Sequence, residues 1–178
     1  MSAVANVSIA PLSTRHDRTL FDCGRAELNE YLRRYARQHA EAGVSRTFVA
    51  SPVDEPTRTL GYYSLAATSV AFQSLSAEMT RRLPRHPVPA ALLARLAVDR
   101  GSQGTGLGSI LVADAYERVL LASEQLGIYL LIIHAKDDDA KRFYMRLNAV
   151  PLPDEPLHLV VDVRVIRAAV ALAKERGR

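Results

Sequence analysis

Three glycines alternate along the stretch "RGSQGTGLGSIL", between a predicted strand and a predicted helix. Gly104, Gly106 and Gly108 carry no Cβ, so their backbone N–H groups are open to a close approach, and the positive end of a helix follows them. Such an arrangement suits the oxygens of a phosphate group. The stretch therefore predicts a phosphate-binding turn. The alternative is a glycine-rich strand-to-helix turn that binds nothing.

Residue spacing discriminates among three phosphate-binding patterns. A P-loop requires Lys and then Ser or Thr after its last glycine, but Leu107 and Gly108 occupy those positions. The dinucleotide fingerprint requires a third glycine where this chain has Ser109. The pattern Q/R-x-x-G-x-G fits Gln103, Gly106 and Gly108 without a mismatch.

The elements around this turn follow from hydrophobic periodicity. "LLARLAV" predicts a strand over 92–98, and a helix follows the turn with Leu107, Leu111 and Val119 on one face. "IYLLIIHA" is typical of a strand buried on both faces. "DDDAKRFYMRLN" predicts the next helix and "LHLVVDV" the last strand. A strand–helix–strand unit of this length implies parallel neighbouring strands.

Elements in the first part of the chain and at its end are predicted in the same way. "SRTFVAS" and "TLGYYSLAATSVAF" predict a hairpin. "FDCGRAELNEYLRRYARQHAEAG" predicts a helix that presents one apolar face, made of Leu28, Tyr31, Leu32, Tyr35 and Ala36. "RVIRAAVALAKER" predicts a final helix with an apolar stripe of Val165, Ile166, Ala169, Leu172 and Ala173. The fold class is therefore α/β.

Composition limits the kind of protein. The chain has 178 residues, of which 48% are hydrophobic, and this predicts one domain over 1–178. A single cysteine, Cys23, excludes an internal disulfide and a multi-cysteine metal site, so no metal is expected. No apolar run approaches the roughly 18 residues of a membrane span. We see no signal peptide and expect a cytoplasmic protein without a membrane partner.

The net charge of +4 is unevenly distributed. "RRLPRH" contributes Arg81, Arg82 and Arg85, and Arg95 lies on the strand that precedes the glycine turn. Such a basic segment either increases solubility or binds an anionic partner through phosphate contacts.

The segment "LARLAVDRGSQGTGLGSILVADA" resembles the acetyl-CoA-binding motif of the GCN5-related N-acetyltransferases (GNATs). The resemblance implies the GNAT fold, a central mixed β-sheet flanked by helices. The final predicted helix forms a C-terminal extension to it at about 164–178. It implies pantetheine contacts from Leu96, Ala97 and Val98. It further implies pyrophosphate contacts from the residues of the turn: Gln103, Gly104, Thr105, Gly106, Leu107, Gly108 and Ser109.

Four blocks in order, "FDCGRAELNEYL", "GYYSLAATSV", "PRHPVPAALLARLAV" and "HAKDDDAKRFY", are similar to the acetyltransferase toxins of bacterial toxin–antitoxin pairs. That resemblance implies acetylation of the α-amino group of aminoacyl-tRNA, inhibition of translation, contacts of the basic residues with tRNA and a cognate ribbon–helix–helix antitoxin. A homodimer is a separate expectation, on which the residues themselves are silent. "LNAVPLPDEP" departs from the Gly-Phe that the family usually has after this helix, and the tail beyond Val163 lies outside the resemblance.

Acetyl transfer from a thioester to an amine requires a neutral amine and a proton for the departing thiolate. Tyr144 is the candidate acid, because an unperturbed tyrosine has a pKa of about 10 and keeps its proton at neutral pH. The resemblance assigns the same role to the tyrosine of "FY". The alternative is a tyrosine that only packs beside Phe143.

The strand 92–98 contains no Glu, Asp or His that could act as a base. This favours an α-amine, with a pKa of about 7.7–8.0, over a lysine side chain at about 10.4. His134 is interpreted as a core histidine rather than a participant. Two alternative functions remain: acetylation of a small amine, antibiotic or protein N-terminus, and a CoA-binding or interaction module without turnover, which would not require Tyr144.

Overall fold

The chain alternates strands and helices, and a computed structural model describes residues 6–177. In chain order the elements are β1 (Val7–Pro11), α1 (Ala26–Glu30), a π-helical turn (Tyr31–Tyr35), α2 (Ala36–Glu41), β2 (Arg46–Pro52), β3 (Gly61–Val70), a 3₁₀ turn (Phe72–Ser74), α3 (Ala77–Thr80), β4 (Val88–Val98), a 3₁₀ turn (Arg100–Ser102), α4 (Leu107–Ser123), β5 (Leu130–His134), α5 (Asp138–Met145), β6 (Val150–Pro151), β7 (His158–Asp162) and α6 (Val163–Arg176).

The strands form one mixed sheet of seven, in the order β1-β2-β3-β4-β5-β7-β6. Strands β4 and β5 are parallel, with Ala90 opposite Leu130 and Leu93 opposite Ile133, which confirms the predicted strand–helix–strand unit. Strands β5 and β6 are each paired antiparallel with β7, so the chain reverses direction between β6 and β7. The sheet and its helices confirm the predicted α/β class.

One compact unit consists of the described residues up to Ala66 together with Ala94–Ala115. Within it β2 pairs antiparallel with both β1 and β3, which confirms the predicted hairpin. Its core consists of buried aromatic and aliphatic side chains from the segment before α1, the first helix and three strands: Phe21, Tyr31, Leu32, Ala36, Val49, Tyr62 and Ala97.

The first helix contains a π-helical turn that changes which side chains it buries. Tyr31 and Leu32 are buried as predicted, but Tyr35 is 43% exposed, so its predicted place on the apolar face is wrong. A π turn contains one more residue than an α turn and rotates the following side chains around the axis. Ala36 therefore returns to the core while Tyr35 does not.

A second compact unit consists of Ala67–Leu93 together with the described residues from Tyr116 onward. Its core combines residues of four strands with those of the connections: Val70, Leu75, Val88, Ala90, Leu130, Ile132, Leu152 and Val160. Residues Leu130–Ile133 of β5 are all buried, which confirms that this strand is covered on both faces.

Helix α6 packs within the second unit through a different stripe from the one predicted. Val163, Ile166 and Val170 are buried, whereas Val165 and Leu172 are 42% and 52% exposed. Only Ile166 of the predicted stripe is fully buried, and Ala169 is partly buried. Among residues 6–177 no helix is both long and apolar enough to cross a bilayer.

Candidate functional site

The candidate cofactor residues form two short segments, 96–98 and 103–109, and both belong to the first unit. Leu96, Ala97 and Val98 form the end of β4, with Ala97 buried and its two neighbours partly buried. A short 3₁₀ turn follows, and then Gln103–Ser109 leads into α4, which begins at Leu107. The strand, the turn and the first turn of the helix therefore occur in the predicted order.

The glycine turn presents a run of uncommitted backbone donors. Gly104 and Gly106 have φ angles of +75° and +93°, a region that side-chain-bearing residues rarely adopt. Within the described chain, the N–H groups of residues 104–108 make no hydrogen bond. A Cβ added at Gly104 or Gly106 would enter open space. Five successive free N–H groups at a helix start suit a bound phosphate.

A close approach behind this turn depends on Gly61, the first residue of β3. A Cβ at Gly61 would lie 3.0 Å from the carbonyl oxygen of Ala97 and 3.1 Å from Cδ1 of Leu111. Such contacts are too short for a rigid backbone to accept. Sequence analysis missed this role, although a glycine at a strand end often marks a close backbone approach.

Gln103 uses its side chain to hold the turn in place. The amide nitrogen Nε2 donates to the carbonyl oxygen of Val98 over 2.9 Å and to that of Cys23 over 3.0 Å. Both amide hydrogens are then committed to the protein, so this side chain fixes the turn to β4 and to the segment before α1.

Two aspartates extend this support, and sequence analysis missed both. Asp99 accepts hydrogen bonds from the N–H groups of Asp22 and Gly101, each over 3.0 Å. Asp22 accepts from the N–H of Gly24 and from the side-chain amide of Asn29, each over 2.8 Å. These bonds, the Gly24 N–H bond first, lower the pKa of Asp22. The segment "FDCGRAELN" therefore stabilises the glycine turn through hydrogen bonds to Asp99 and Gln103.

Tyr144 lies in the second unit, near the end of α5, and is 8% exposed. Burial raises its pKa to about 12. The ring packs edge-on against Phe143 with 5.0 Å between centroids, as the packing interpretation predicted. Its hydroxyl makes no hydrogen bond to any described residue, so the proton is retained at neutral pH and remains available to a ligand.

Asn148 terminates α5, at the point where the sequence departs from the family that it resembles. It adopts φ = +70°, which asparagine tolerates better than most residues with a side chain. The N–H of Ala149 donates to the carbonyl of Tyr144 over 3.1 Å, and that of Asn148 to Met145 over 3.2 Å. This is the Schellman pattern that usually requires glycine, and it fixes the backbone of Tyr144.

The candidate tRNA-binding arginines differ in environment. Arg81, Arg82 and Arg85 are exposed in the second unit. Arg95 is partly buried in the first unit, and its guanidinium carbon lies 3.8 Å from the centroid of the Tyr31 ring. That cation–π contact occupies one face of the guanidinium group. The guanidinium groups of Arg81, Arg82 and Arg85 are therefore more accessible to a phosphate group than that of Arg95.

His134 is exposed, so its predicted place in the core is wrong. Its ring stacks on His158, with 4.0 Å between ring centroids, because the two residues are paired opposite each other on β5 and β7. Desolvation and the neighbouring His158 lower the pKa of His134. Residues 6–177 contain no group of three or more His, Cys, Asp or Glu side chains arranged to hold a metal.

Two curated proteins are similar to the chain over most of its length. A tRNA-acetylating toxin of Mycobacterium tuberculosis (strain ATCC 25618 / H37Rv) is 38% identical over 159 residues, which is 89% of this chain and 93% of that protein. The probable toxin TacT of Sinorhizobium fredii (strain NBRC 101917 / NGR234) is 27% identical over 90% of this chain and 93% of that protein. The chain matches no protein-family profile.

Solved structures of two toxins share the fold. A tyrosine-to-phenylalanine mutant of KacT has a TM-score of 0.87 at 31% identity, covering 92% of this chain and 99% of that chain. AtaT complexed with acetyl-methionyl-tRNA has a TM-score of 0.86 at 28% identity, with the same two coverages. An AtaT mutant bound to the C-terminus of the antitoxin AtaR and to acetyl-CoA has a TM-score of 0.78 at 27% identity, covering 93% of this chain and 99% of that chain.

Proposed function

The chain belongs to the GNAT-type tRNA-acetylating toxins, and on that premise we propose that it transfers the acetyl group of acetyl-CoA to the α-amino group of aminoacyl-tRNA and thereby blocks translation. The observation that carries the proposal is the glycine turn after β4, with five uncommitted N–H groups at the start of α4. A pyrophosphate has enough oxygens to accept from several of them.

The cofactor residues divide into those that contact acetyl-CoA and those that support them. We assign pantetheine contacts to Leu96, Ala97 and Val98, and pyrophosphate contacts to the N–H groups of residues 104–108 and to Ser109. Gln103 acts by holding the turn, because both hydrogens of its side-chain amide already bind backbone carbonyls. Acetyl-CoA bound to AtaT supports this assignment of the cofactor.

We assign Tyr144 as the acid of the reaction. The neutral amine attacks the thioester carbonyl and forms the carbon–nitrogen bond, the carbon–sulfur bond breaks, and the departing thiolate takes the phenolic proton. The nitrogen, protonated by its attack, then loses its extra proton, which restores the phenol. Burial raises the pKa of Tyr144 to about 12, so the phenol carries its proton at neutral pH when the thiolate forms. The acceptor amine has to arrive already neutral, and an α-amine meets this condition more readily than a lysine side chain.

The partners follow from the same premise. Arg81, Arg82 and Arg85 contact the phosphate backbone of tRNA, with Arg95 in a lesser role, and a cognate antitoxin binds the toxin. AtaT is solved with acetyl-methionyl-tRNA and with part of its antitoxin AtaR, which supports both partners. We further propose a homodimer, a cytoplasmic location, and a single GNAT domain over 1–178 with α6 as its C-terminal extension.

Radiolabelled acetyl transfer tests the acceptor. We expect acetylation of aminoacyl-tRNA, none of uncharged tRNA, and poor acetylation of free amino acids and other small amines. The rate with charged tRNA is expected to fall steeply as salt increases, because phosphate contacts release bound cations. Efficient acetylation of small amines without acetylation of charged tRNA would instead support the small-amine enzyme.

Charge reversal tests the basic surface. Replacing Arg81, Arg82 and Arg85 with glutamate is expected to weaken tRNA acetylation while acetyl-CoA binding stays unchanged. The matched control reverses three other exposed arginines of the same unit, Arg146, Arg167 and Arg176, and so changes the net charge equally. Equal losses in the two triple variants would show that only net charge matters and would overturn the assignment of this surface.

A further inference from the structure

A small pocket of about 140 Å³ lies in the first unit, away from β4 and the glycine turn. Its floor is one face of the β1–β2 ladder. Ser8 is paired with Ser51 and Ala10 with Val49, so these four side chains project to the same side. Arg15 and His16, from the loop after β1, and Pro56 and Thr57, from the loop after β2, form the walls. We call this the Ser51 pocket.

The two wall loops are bonded to each other, so the Ser51 pocket is preformed. The N–H of Asp17 donates to the carbonyl of Thr57 over 2.7 Å. The hydroxyl of Thr59 donates to the carbonyl of Asp17, also over 2.7 Å. These two hydrogen bonds, both made by the backbone of Asp17, therefore connect the loops that supply the walls of the pocket.

Ser51 carries an unsatisfied polar group at the floor of the pocket. The residue is 2% exposed, and its Oγ makes no hydrogen bond within residues 6–177. Native structures pair nearly all buried hydroxyls, because leaving one unpaired costs stability. Because Ser51 lines the cavity, its hydroxyl is available to a molecule bound there.

His16 supplies a second uncommitted donor. The residue is 8% exposed, and its Nδ1 accepts a hydrogen bond of 3.0 Å from the N–H of Ser13. A neutral imidazole that accepts at Nδ1 carries its hydrogen at Nε2, and this Nε2–H has no acceptor among the described residues. Burial first, and then the nearby Arg15 and Arg18, lower the pKa of His16, so the ring is neutral at pH 7.

Basic residues outnumber acidic ones in a cleft beside the Ser51 pocket. An adjoining cleft of about 410 Å³ shares Arg15 and His16 with the Ser51 pocket and adds Arg18 and Arg33, against one acid, Asp17. Arg33 donates to the carbonyl of Phe21 over 2.6 Å, which holds its guanidinium in place. Arg15 makes no ion pair within the described chain and is exposed, so it is free to bind an anion.

We propose that the Ser51 pocket binds a tetrahedral oxyanion of the phosphate class. The Ser51 hydroxyl contacts the anion at the floor, the His16 Nε2–H at the wall and the Arg15 guanidinium at the mouth. The three donors come from two elements, Ser51 from β2 and His16 and Arg15 from the loop after β1. Three donors suit the several oxygens of phosphate better than the two of a carboxylate. The volume of about 140 Å³ admits a phosphate group but not a nucleotide. The proposal does not depend on the proposed acetyltransferase function.

Titration calorimetry of the purified protein with sodium phosphate tests the proposal, with sodium chloride at equal ionic strength as the blank. Ser51→Ala and Arg15→Ala are each expected to weaken phosphate binding by about tenfold or more, because each removes one direct donor to the anion. The matched control Arg34→Ala removes an exposed arginine of the same unit and is expected to bind phosphate like the parent. Acetate is expected to bind at least tenfold more weakly than phosphate.

Two further measurements separate this pocket from the glycine turn and from misfolding. Ser51→Ala is expected to raise the Tm in the absence of phosphate, because it removes an unsatisfied buried hydroxyl. The Nε2 resonance of His16 is expected to shift on addition of phosphate. The proposal is wrong if phosphate binds no better than chloride, if Ser51→Ala and Arg15→Ala keep the parent affinity, or if acetate binds as tightly as phosphate. None of these failures affects the assignment of acetyl-CoA binding.

Discussion

The side-chain amide of Gln103 donates a hydrogen bond of 2.9 Å to the backbone carbonyl of Val98, the last residue of β4. This bond spans the 3₁₀ turn Arg100–Ser102 and connects Gln103, the first residue of the glycine turn, to the end of β4. The same amide also binds the carbonyl of Cys23, so the segment before α1 is tied to the turn as well. The glutamine that opens the Q/R-x-x-G-x-G pattern therefore shapes the turn, while the residues after it offer the free N–H groups.

Gln103→Leu is expected to weaken acetyl-CoA binding by about tenfold without unfolding the protein, because it removes two hydrogen bonds of modest net strength. Calorimetry with acetyl-CoA measures the change, and Gln125→Leu, outside the turn, is the matched control. An unchanged affinity in Gln103→Leu would show that the glycines alone hold the turn.

Gly106→Asp is expected to abolish acetyl-CoA binding. The φ of +93° strains any residue with a side chain, and the new carboxylate repels the pyrophosphate. Gly106→Ala separates the two effects, since it adds the strain without the charge and is expected to bind with intermediate affinity. Gly127→Ala, at a glycine without a positive φ, is the control. Parent-like binding by a folded Gly106→Asp variant would remove the turn from the cofactor site.

Tyr144→Phe removes one hydroxyl and little packing. If Tyr144 is the acid, turnover is expected to fall by roughly 10²–10⁴ while the affinity for acetyl-CoA is retained. Induced expression of the parent is expected to arrest growth, and the variant to relieve that arrest. Tyr35→Phe is the control, because Tyr35 is exposed on the first helix. A Tyr144→Phe variant as active as the parent would leave Tyr144 with a packing role only.

The pH dependence of kcat/KM follows from the burial of Tyr144. The rate is expected to rise as the acceptor α-amine loses its proton near pH 7.7–8.0. An acid is active while protonated, so its contribution is lost only as the pH rises through its own pKa. Burial raises the pKa of Tyr144 to about 12, and the profile should therefore stay level to about pH 9.5. A decline centred near pH 9 in initial rates would contradict the assignment.

The C-terminal helix is expected to stabilise the domain through Ile166. Ile166 is fully buried, so Ile166→Ala should lower the free energy of unfolding by about 2–5 kcal/mol. Leu172→Ala, at a side chain 52% exposed, should change it by less than about 0.5 kcal/mol. Chemical denaturation measures both. A larger loss of unfolding free energy in Leu172→Ala than in Ile166→Ala would mean that an assembly contact at Leu172 stabilises α6 instead.

Local patterns predicted most elements, because each depends on periodicity and on turn residues within a short window. They failed where the deciding contact was distant or the helix was irregular. Tyr35 lies outside the apolar face because of a π-helical turn, which no residue type in the sequence predicts. His134 was assigned to the core from an apolar neighbourhood, but the end of β5 is exposed and pairs it with His158. Strand β6 was not predicted, since its two residues form no pattern.

The sequence by itself determined the glycine turn, the order of the elements around it, and Tyr144 as the tyrosine that ends the fourth block, "HAKDDDAKRFY", because these depend on residue identity and local spacing. Only the tertiary structure decided what holds the turn. The bonds from Gln103 to Cys23 and from Asp22 to Asp99 join segments roughly eighty residues apart, and one-dimensional spacing carries no record of such contacts. The raised pKa of Tyr144 likewise comes from burial, which is a property of the packed chain.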